Sequence, residues 1–477
     1  MNNWDQENNE WQNTIILLVK RFNKMLATNA NDFFDVEEFE IIIDYFLYNF
    51  NFTESEQAVQ LALKQYPNSI NILLKKAKLY AYLNKEKQAL EILKNIENIE
   101  PENPEIFTAK GSIFSCLGHH DKAIKEYNKA IKIGKDVDVD DLHINIATEY
   151  NLMGNTNKAM QHLITALEIN PENETAIFQI DFICNDTVSL YKAINFLSKF
   201  LDKHPFSPTA WHCLGNIYIK TGQFNEAIEA FDYAIAINPE YYIASYYSKA
   251  QAFEFLENYK DALITYKELL KLDKDNPYLY NSIGECYENL NQPKKSLSFF
   301  KKAITIEPYF AEAWINIGIF YINHDEPNVA LKYMKKAYNI IPDDPYIINT
   351  IAEAYIALKK YKMAFKYYEK AIQIDPQNYN IWIDYADAME EYKTTKEAIK
   401  ILEKAIKINP NNSYLLYRMA ACKITNGDNA EGMLTLFQAM KIDYYNLKMF
   451  FEYMPNMKNN KDILKLIKIM QNTYNKL

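Results

Sequence analysis

The chain has 477 residues, 49% of them hydrophobic, with 62 acidic against 52 basic side chains and a formal net charge of -10. That balance argues against binding nucleic acid by neutralising phosphates, which needs a basic face. Five dispersed cysteines (Cys116, Cys184, Cys213, Cys286, Cys422), with no C-x-x-C pair, exclude a disulfide framework and a cysteine metal cluster, and read as lone buried thiols in a reducing compartment.

The N-terminal MNNWDQENNEWQ is acidic and amide-rich, unlike the basic start of a secretory leader, and the apolar run Ile15 to Val19 is too short to span a membrane. No later segment is long and apolar enough, so a cytoplasmic protein without membrane insertion is expected. Residues 1–35 are expected to form a tail and a capping helix, the helix covering about Glu10 to Leu26.

From residue 36 the chain repeats. Prolines recur at Pro67, Pro101, Pro171, Pro205, Pro239, Pro308, Pro342, Pro376 and Pro410, mostly 34 residues apart, with Lys135, Lys274 and Tyr444 in the same slot elsewhere. With that slot as position 32, twelve units cover 36–446, starting at Val36, Ile70, Pro104, Asp140, Glu174, Pro208, Ile243, Pro277, Ala311, Pro345, Tyr379 and Ser413. Small residues hold position 8 (Gly111, Gly215, Gly284 and Gly318 among them), position 20 (Ala227, Ala262) and position 27 (Ala234, Ala303). Large residues hold position 4 (Trp211, Trp314, Trp382) and position 11 (Phe114, Tyr150, Tyr218, Phe253, Tyr287, Tyr321, Tyr355). Closely crossing helices need such small residues, so each aromatic is expected to fill a small hole within its helical hairpin. Boundaries follow from breakers. Pro104, Pro208, Pro277 and Pro345 open first helices, Pro293 and Pro327 open second helices, and Gly118, Gly154, Gly222 and Gly427 make the turn between them at position 15.

Unit five, 174–207, is irregular: Asp181 replaces a small residue, Cys184 an aromatic and Phe200 an alanine, so it is expected to pack loosely or bend, as a drifted repeat or a hinge. The insertion KDVDVDD at 135–141 reads as a solvated loop. Residues 447–477, with Ile463, Leu464, Leu466, Ile467, Ile469 and Met470 on one amphipathic stretch, read as C-terminal capping helices; the alternative for either end is a helix that docks on a partner.

These units resemble the tetratricopeptide repeat family. The best copy is 208–241, PTAWHCLGNIYIKTGQFNEAIEAFDYAIAINPEY, matching at Trp211, Leu214, Gly215, Tyr218, Gly222, Phe224, Ala227, Phe231, Ala234 and Pro239. The segments DFFDVEEFEIIIDYF and FFEYMPN resemble long multi-repeat members from bacteria of the Bacteroidetes type. The resemblance implies an all-α solenoid, a right-handed superhelix of about twelve hairpins, binding protein or peptide segments along its concave face through first-helix positions 2, 5, 9 and 12. In units seven to eleven these expectations fall on Tyr247, Gln251, Glu254, Tyr278, Asn281, Glu285, Glu288, Glu312, Tyr346, Asn349, Glu353, Asp387 and Glu390. So acidic a stripe favours a basic or polar partner, the alternative being a solvated helix face. The family's carboxylate clamp for Hsp70 and Hsp90 tails needs lysines and an arginine; the nearest set here, His212, Asn216, Ser248, Tyr278 and Ser282, has none.

No G-x-G-x-x-G or Walker loop occurs, and the seven histidines are scattered, His119 and His120 in a turn and His162 and His204 on second helices. The expectation is a non-enzymatic scaffold or adaptor without cofactor or metal. The alternative is a regulatory or targeting subunit of a larger enzyme or assembly complex. Recognition of RNA by a related helical repeat is disfavoured by the acidic stripe.

Overall fold

The computed structural model describes residues 3–28, 32–134, 138–239 and 243–474, so the part of the acidic insertion at 135–137 lies outside the described residues. Among the described residues all regular structure is helical, and the chain divides into two compact units, Met1–Leu256 and Glu257–Leu477.

The first unit holds α1 (Asn3–Thr28) and the pairs α2 (Val36–Tyr48) with α3 (Phe52–Gln65), α4 (Ile70–Tyr82) with α5 (Glu86–Ile99), and α6 (Pro104–Cys116) with α7 (His120–Ile133). It continues with α8 (Val139–Leu152) and α9 (Thr156–Ile169), α10 (Glu174–Ile183) and α11 (Thr187–Lys203), α12 (Pro208–Lys220) and α13 (Phe224–Ile237), and α14 (Ile243–Phe255). The second unit holds α15 (Tyr259–Leu272), then α16 (Pro277–Asn289) with α17 (Pro293–Ile306), α18 (Ala311–Asn323) with α19 (Pro327–Ile340), and α20 (Pro345–Ala357) with α21 (Tyr361–Ile374). It ends with α22 (Tyr379–Tyr392) and α23 (Thr395–Ile408), α24 (Ser413–Thr425) and α25 (Asn429–Ile442), α26 (Leu447–Tyr453), a 3-10 turn at Pro455–Asn459, and α27 (Lys461–Tyr474).

Local chemistry sets these boundaries. The residue before most first helices is an N-cap whose side chain accepts a backbone N–H of the first turn, as with Ser69, Asn103, Asn173, Ser207, Asn276, Asp344, Asn378 and Asn412. Each such cap stabilises its helix by about 1 kcal/mol. At position 15 the chain turns through the left-handed region, at Gly118, Gly154, Gly222 and Gly427 as expected, but also at Phe50, Asn84, Asn291, Asp325 and Lys359. The position-32 proline and the position-4 aromatic are joined by a hydrogen bond: the indoles of Trp211, Trp314 and Trp382 donate to the carbonyls of Pro205, Pro308 and Pro376 at 2.9, 2.9 and 3.0 Å. Tyr280 does the same with its hydroxyl to the carbonyl of Lys274, which holds the proline slot, at 3.1 Å.

The expected fit of position-11 aromatics into small holes is corrected. The side chain over each position-8 glycine comes from position 24 of the facing helix: a Cβ on Gly215 or Gly284 would lie 2.5 Å from the ring of Phe231 or Phe300, and one on Gly318 2.6 Å from Met334. Position-11 rings instead lie beside position 23, tilted in Tyr287 with Phe299 and stacked in Tyr321 with Tyr333 and Tyr355 with Tyr367. The reason is helical direction: side chains lean toward the N-terminus, so the approach point of the second helix meets position 8 one turn before the aromatic.

Unit five departs in length and in its partners, α10 packing on α9 and α12 and α11 on α12. α10 stops after 10 residues and α11 runs for 17, so the left-handed turn is lost, yet Ile177, Ile180, Ile183, Cys184, Leu197 and Phe200 are buried in one core with Ala210 and Ile217. At the ends, Val19, Phe22 and Met25 of α1 are buried with Phe34, Phe39 and Ile42, while Ile463 and Met470 of α27 are buried with Leu436 and Phe450. Leu464 of the same stretch is exposed.

Candidate partner-binding face

On a helix, positions 2, 5, 9 and 12 share one side. In the first unit that side of α2, α4, α6 and α8 lines a half-open groove of about 540 Å³, with Glu40, Asn71, Lys78, Ser112 and Asp141 at these positions and Lys75 and Asn145 at position 6 beside them. Lys75 is paired with Asp44 at 2.5 Å. By contrast Lys78, Ser112 and Asn145 are half-buried, with no hydrogen bond or ion pair among the described residues, and Oε1 of Glu40 is buried without a partner. Groups of this kind satisfy themselves on a ligand or on water. Sequence reasoning placed candidates only in units seven to eleven and missed this face.

It also missed position 6. The side chain there reaches position 9 of the preceding first helix, 31 residues earlier: Lys75 to Asp44, Gln179 to Thr148 at 3.4 Å, Asn316 to Glu285 at 2.6 Å and Arg418 to Asp387 at 2.6 Å. The available signal was a polar residue recurring at one otherwise half-buried slot. Much of the acidic stripe is therefore engaged between neighbouring helices. Asn281 donates to Glu285 at 3.0 Å and accepts from Asn316 at 3.0 Å. Asn349 donates to Glu353 and to Asp384, both at 2.9 Å. Arg418, 6% exposed, grips Asp387 at 2.6 Å and Glu390 at 2.5 Å with its guanidinium 4.5 Å over the Tyr453 ring. Burial is the main cause that holds Glu353 at about 7, well above the usual carboxylate range, with the neighbouring Asp384 adding to it. Asp384 and Asp387 are raised too, chiefly by burial, the first opposed by its hydrogen bond from Asn349 and the second by Arg418.

The remaining candidates differ in reach. Asn281 and Asn349 are buried at 3% and 6% exposure, so they hold neighbours rather than project. Tyr278 and Tyr346 are exposed at 58% and 55%, Tyr278 resting on Phe310 with centroids 4.6 Å apart. Glu312 is exposed and Glu288 half-buried, with its Oε2 buried without a partner. On α14 of the first unit Gln251 is exposed, while Tyr247 and Glu254 are half-buried. The nearest approach to a clamp is spent internally: Nδ1 of His212 contacts the Ser245 hydroxyl at 2.8 Å and Asn216 donates to Asp181 at 3.0 Å.

Among the described residues no group of three or more His, Cys, Asp or Glu is placed to hold a metal ion, and no helix is long and apolar enough to cross a membrane. Four cysteines are buried and, contrary to the reading of all five as buried, Cys116 is exposed. Burial pushes the Cys184 and Cys422 thiols up to about 11 and about 12, so neither is a thiolate nucleophile near neutrality.

Profiles of the tetratricopeptide repeat match residues 104–135 and 140–173, 208–241, 238–409 and 391–444. A TPR repeat-containing protein of Methanocaldococcus jannaschii is 28% identical over 196 residues, 39% of this chain and 34% of that protein. A CTR9 homolog of Arabidopsis thaliana is 20% identical over 195 residues, 40% of this chain and 18% of that protein. The matched stretch thus spans about a third or less of either relative. Among solved structures, yeast Tom70 is similar with a TM-score of 0.49 and 16% identity over 91% of this chain and 96% of that one. The APC/C hetero-tetramer Cut9-Hcn1 gives 0.40 and 14% identity over 87% and 95%. Helical pairs that repeat with one set of small, aromatic and proline positions, matched by these profiles over most of their length, establish that the chain belongs to the tetratricopeptide repeat family.

Proposed function

We propose that the protein is a non-enzymatic interaction scaffold that holds polypeptide segments against the concave side of its first helices, with α1 and α27 closing the ends of the array. The observation that carries this reading is the groove along α2, α4, α6 and α8, where Lys78, Ser112 and Asn145 present hydrogen-bonding groups without protein partners. Amide and hydroxyl side chains both donate and accept, which suits the alternating N–H and C=O groups of an extended segment. In the second unit the exposed Tyr278, Glu312 and Tyr346 favour a basic or polar segment. The test is capture of partners from native lysate on the wild-type chain beside Lys78→Glu/Asn145→Lys and Tyr346→Arg/Glu312→Arg variants, with melting curves as a fold control. Partners lost from either variant support the reading; an identical set on all three chains refutes it.

A further inference from the structure

Three steps between neighbouring first helices in the second unit differ in charge at matching positions. Between α16 and α18 one carboxylate, Glu285, accepts from two amides, Asn281 and Asn316. Between α22 and α24 two carboxylates, Asp387 and Glu390, share one guanidinium, that of Arg418. Between α20 and α22 two carboxylates, Glu353 and Asp384, meet only the Asn349 amide, and no cation among the described residues pairs with either. Asp384 stands at the position-6 slot that Arg418 fills one unit further on.

Asn349 is spent on these acids through its nitrogen alone. Its Oδ1 is buried without a donor, in a side chain 6% exposed. An unsatisfied buried carbonyl on the amide that joins two carboxylates leaves an acceptor set that lacks its donor. Glu353 and Asp384 both retain partial access to solvent. The exposed Tyr346 ring stands close by, its phenol raised above its ordinary range by burial and then by the carboxylates of Glu353, Glu285 and Glu312. Two carboxylates, a carbonyl and an aromatic face are what a basic side chain requires.

We propose that Glu353, Asp384 and Asn349, with Tyr346 at the rim, form a subsite for one basic side chain of a bound segment, and that it takes arginine in preference to lysine. The planar guanidinium fork spans two carboxylates where a point charge does not, and Arg418 shows this chain making that bridge between Asp387 and Glu390. The proposal rests on the groove reading above and names the chemistry of its occupant. Proton linkage gives a second readout. Glu353 faces Asp384 on α22 and Tyr368 on α21, with Tyr346 on its own helix and Glu285 and Glu312 behind that ring; Asp384 in turn faces Asp387, which Arg418 neutralises. α19 contributes Leu331, Met334 and Ala337 to the core beneath them. A bound cation favours the ionised pair, so binding releases a proton and weakens in acid.

The experiment uses the full chain and three fluorescein-labelled nonapeptides of glycine and serine whose central residue is arginine, lysine or citrulline, the neutral isostere, read by anisotropy. At about pH 8 the arginine peptide should bind about tenfold or more tightly than citrulline, with lysine between, and its advantage should shrink about tenfold by about pH 6. E353Q/D384N should lose the preference while binding citrulline as the parent does, and E168Q/E403Q, two exposed carboxylates elsewhere, should keep it. Equal binding of arginine and citrulline peptides, or a preference that survives E353Q/D384N, overturns the subsite and leaves the groove standing. Failure of all three peptides to bind overturns both.

Discussion

His143 on α8 and His162 on α9 meet Nδ1 to Nδ1 at 2.9 Å, at positions 4 and 23 where other units stack Tyr280 on Phe299 or pack Trp314 against Tyr333. In this contact one ring donates and the other accepts, so two protons cannot be held at once. Burial lowers both imidazoles below their ordinary value of 6.5, and His143 and Lys158 lower His162 further; Tyr150 stacks on His162. A depressed histidine contributes stability that is present above the unfolded value and lost as pH falls toward the folded one. Protection factors in α8 and α9, with the base-catalysed intrinsic exchange rate divided out, should therefore fall on going from about pH 7.5 to about pH 5.5, and His143→Tyr/His162→Phe should remove that response.

Glu353 supplies the opposite slope. Its folded value of about 7 exceeds the ordinary 4.5, so its contribution is complete below 4.5 and disappears as pH rises through about 7. Glu353→Gln should raise the stability of the second unit at about pH 8 by about 1–3 kcal/mol and leave it near parental at about pH 5. Urea titrations at the two pH values check the sign.

Arg418 is the counter-case, a buried cation between two acids. Arg418→Met leaves Asp387 and Glu390 facing each other and should cost about 3–5 kcal/mol. Arg418→Lys should recover only part, because an ammonium cannot span both carboxylates. Thermal melts of the two variants measure this directly.

The glycines of position 8 rank by what covers them. Gly215→Ala drives a methyl into the rigid Phe231 ring, whereas Gly318→Ala meets the flexible Met334 chain. The first should cost about 1–3 kcal/mol and the second about 1 kcal/mol or less. Equal melting of the two would refute the assignment of position 24 as the covering side chain.

The repeat was legible because proline, glycine and alanine have few reasons to recur at fixed spacing, and the helix starts at Pro104, Pro293 and Pro327 stand where those residues put them. The left-handed turns at Phe50 and Lys359 were not, since nothing in those side chains asks for a positive φ and the flanking helices impose it. The face was half legible. Spacing put Asn349, Glu353 and Asp387 on one side of their helices, but whether a polar group projects or pairs depends on the next helix 31 residues on, so the roles of Asn316, Asp384 and Arg418 came only from packing. The groove near Lys78 was missed because its side chains come from four helices and mix charges that no single motif joins.

Site-specific photo-crosslinking tests the central claim most directly. A benzophenone amino acid placed at Asn71 or Tyr346 on the first-helix faces, or at Glu403 on an exposed second-helix surface, is irradiated in cells and the adducts are identified. The account predicts discrete protein adducts at Asn71 and Tyr346 and none at Glu403. Adducts at Glu403 alone would contradict it.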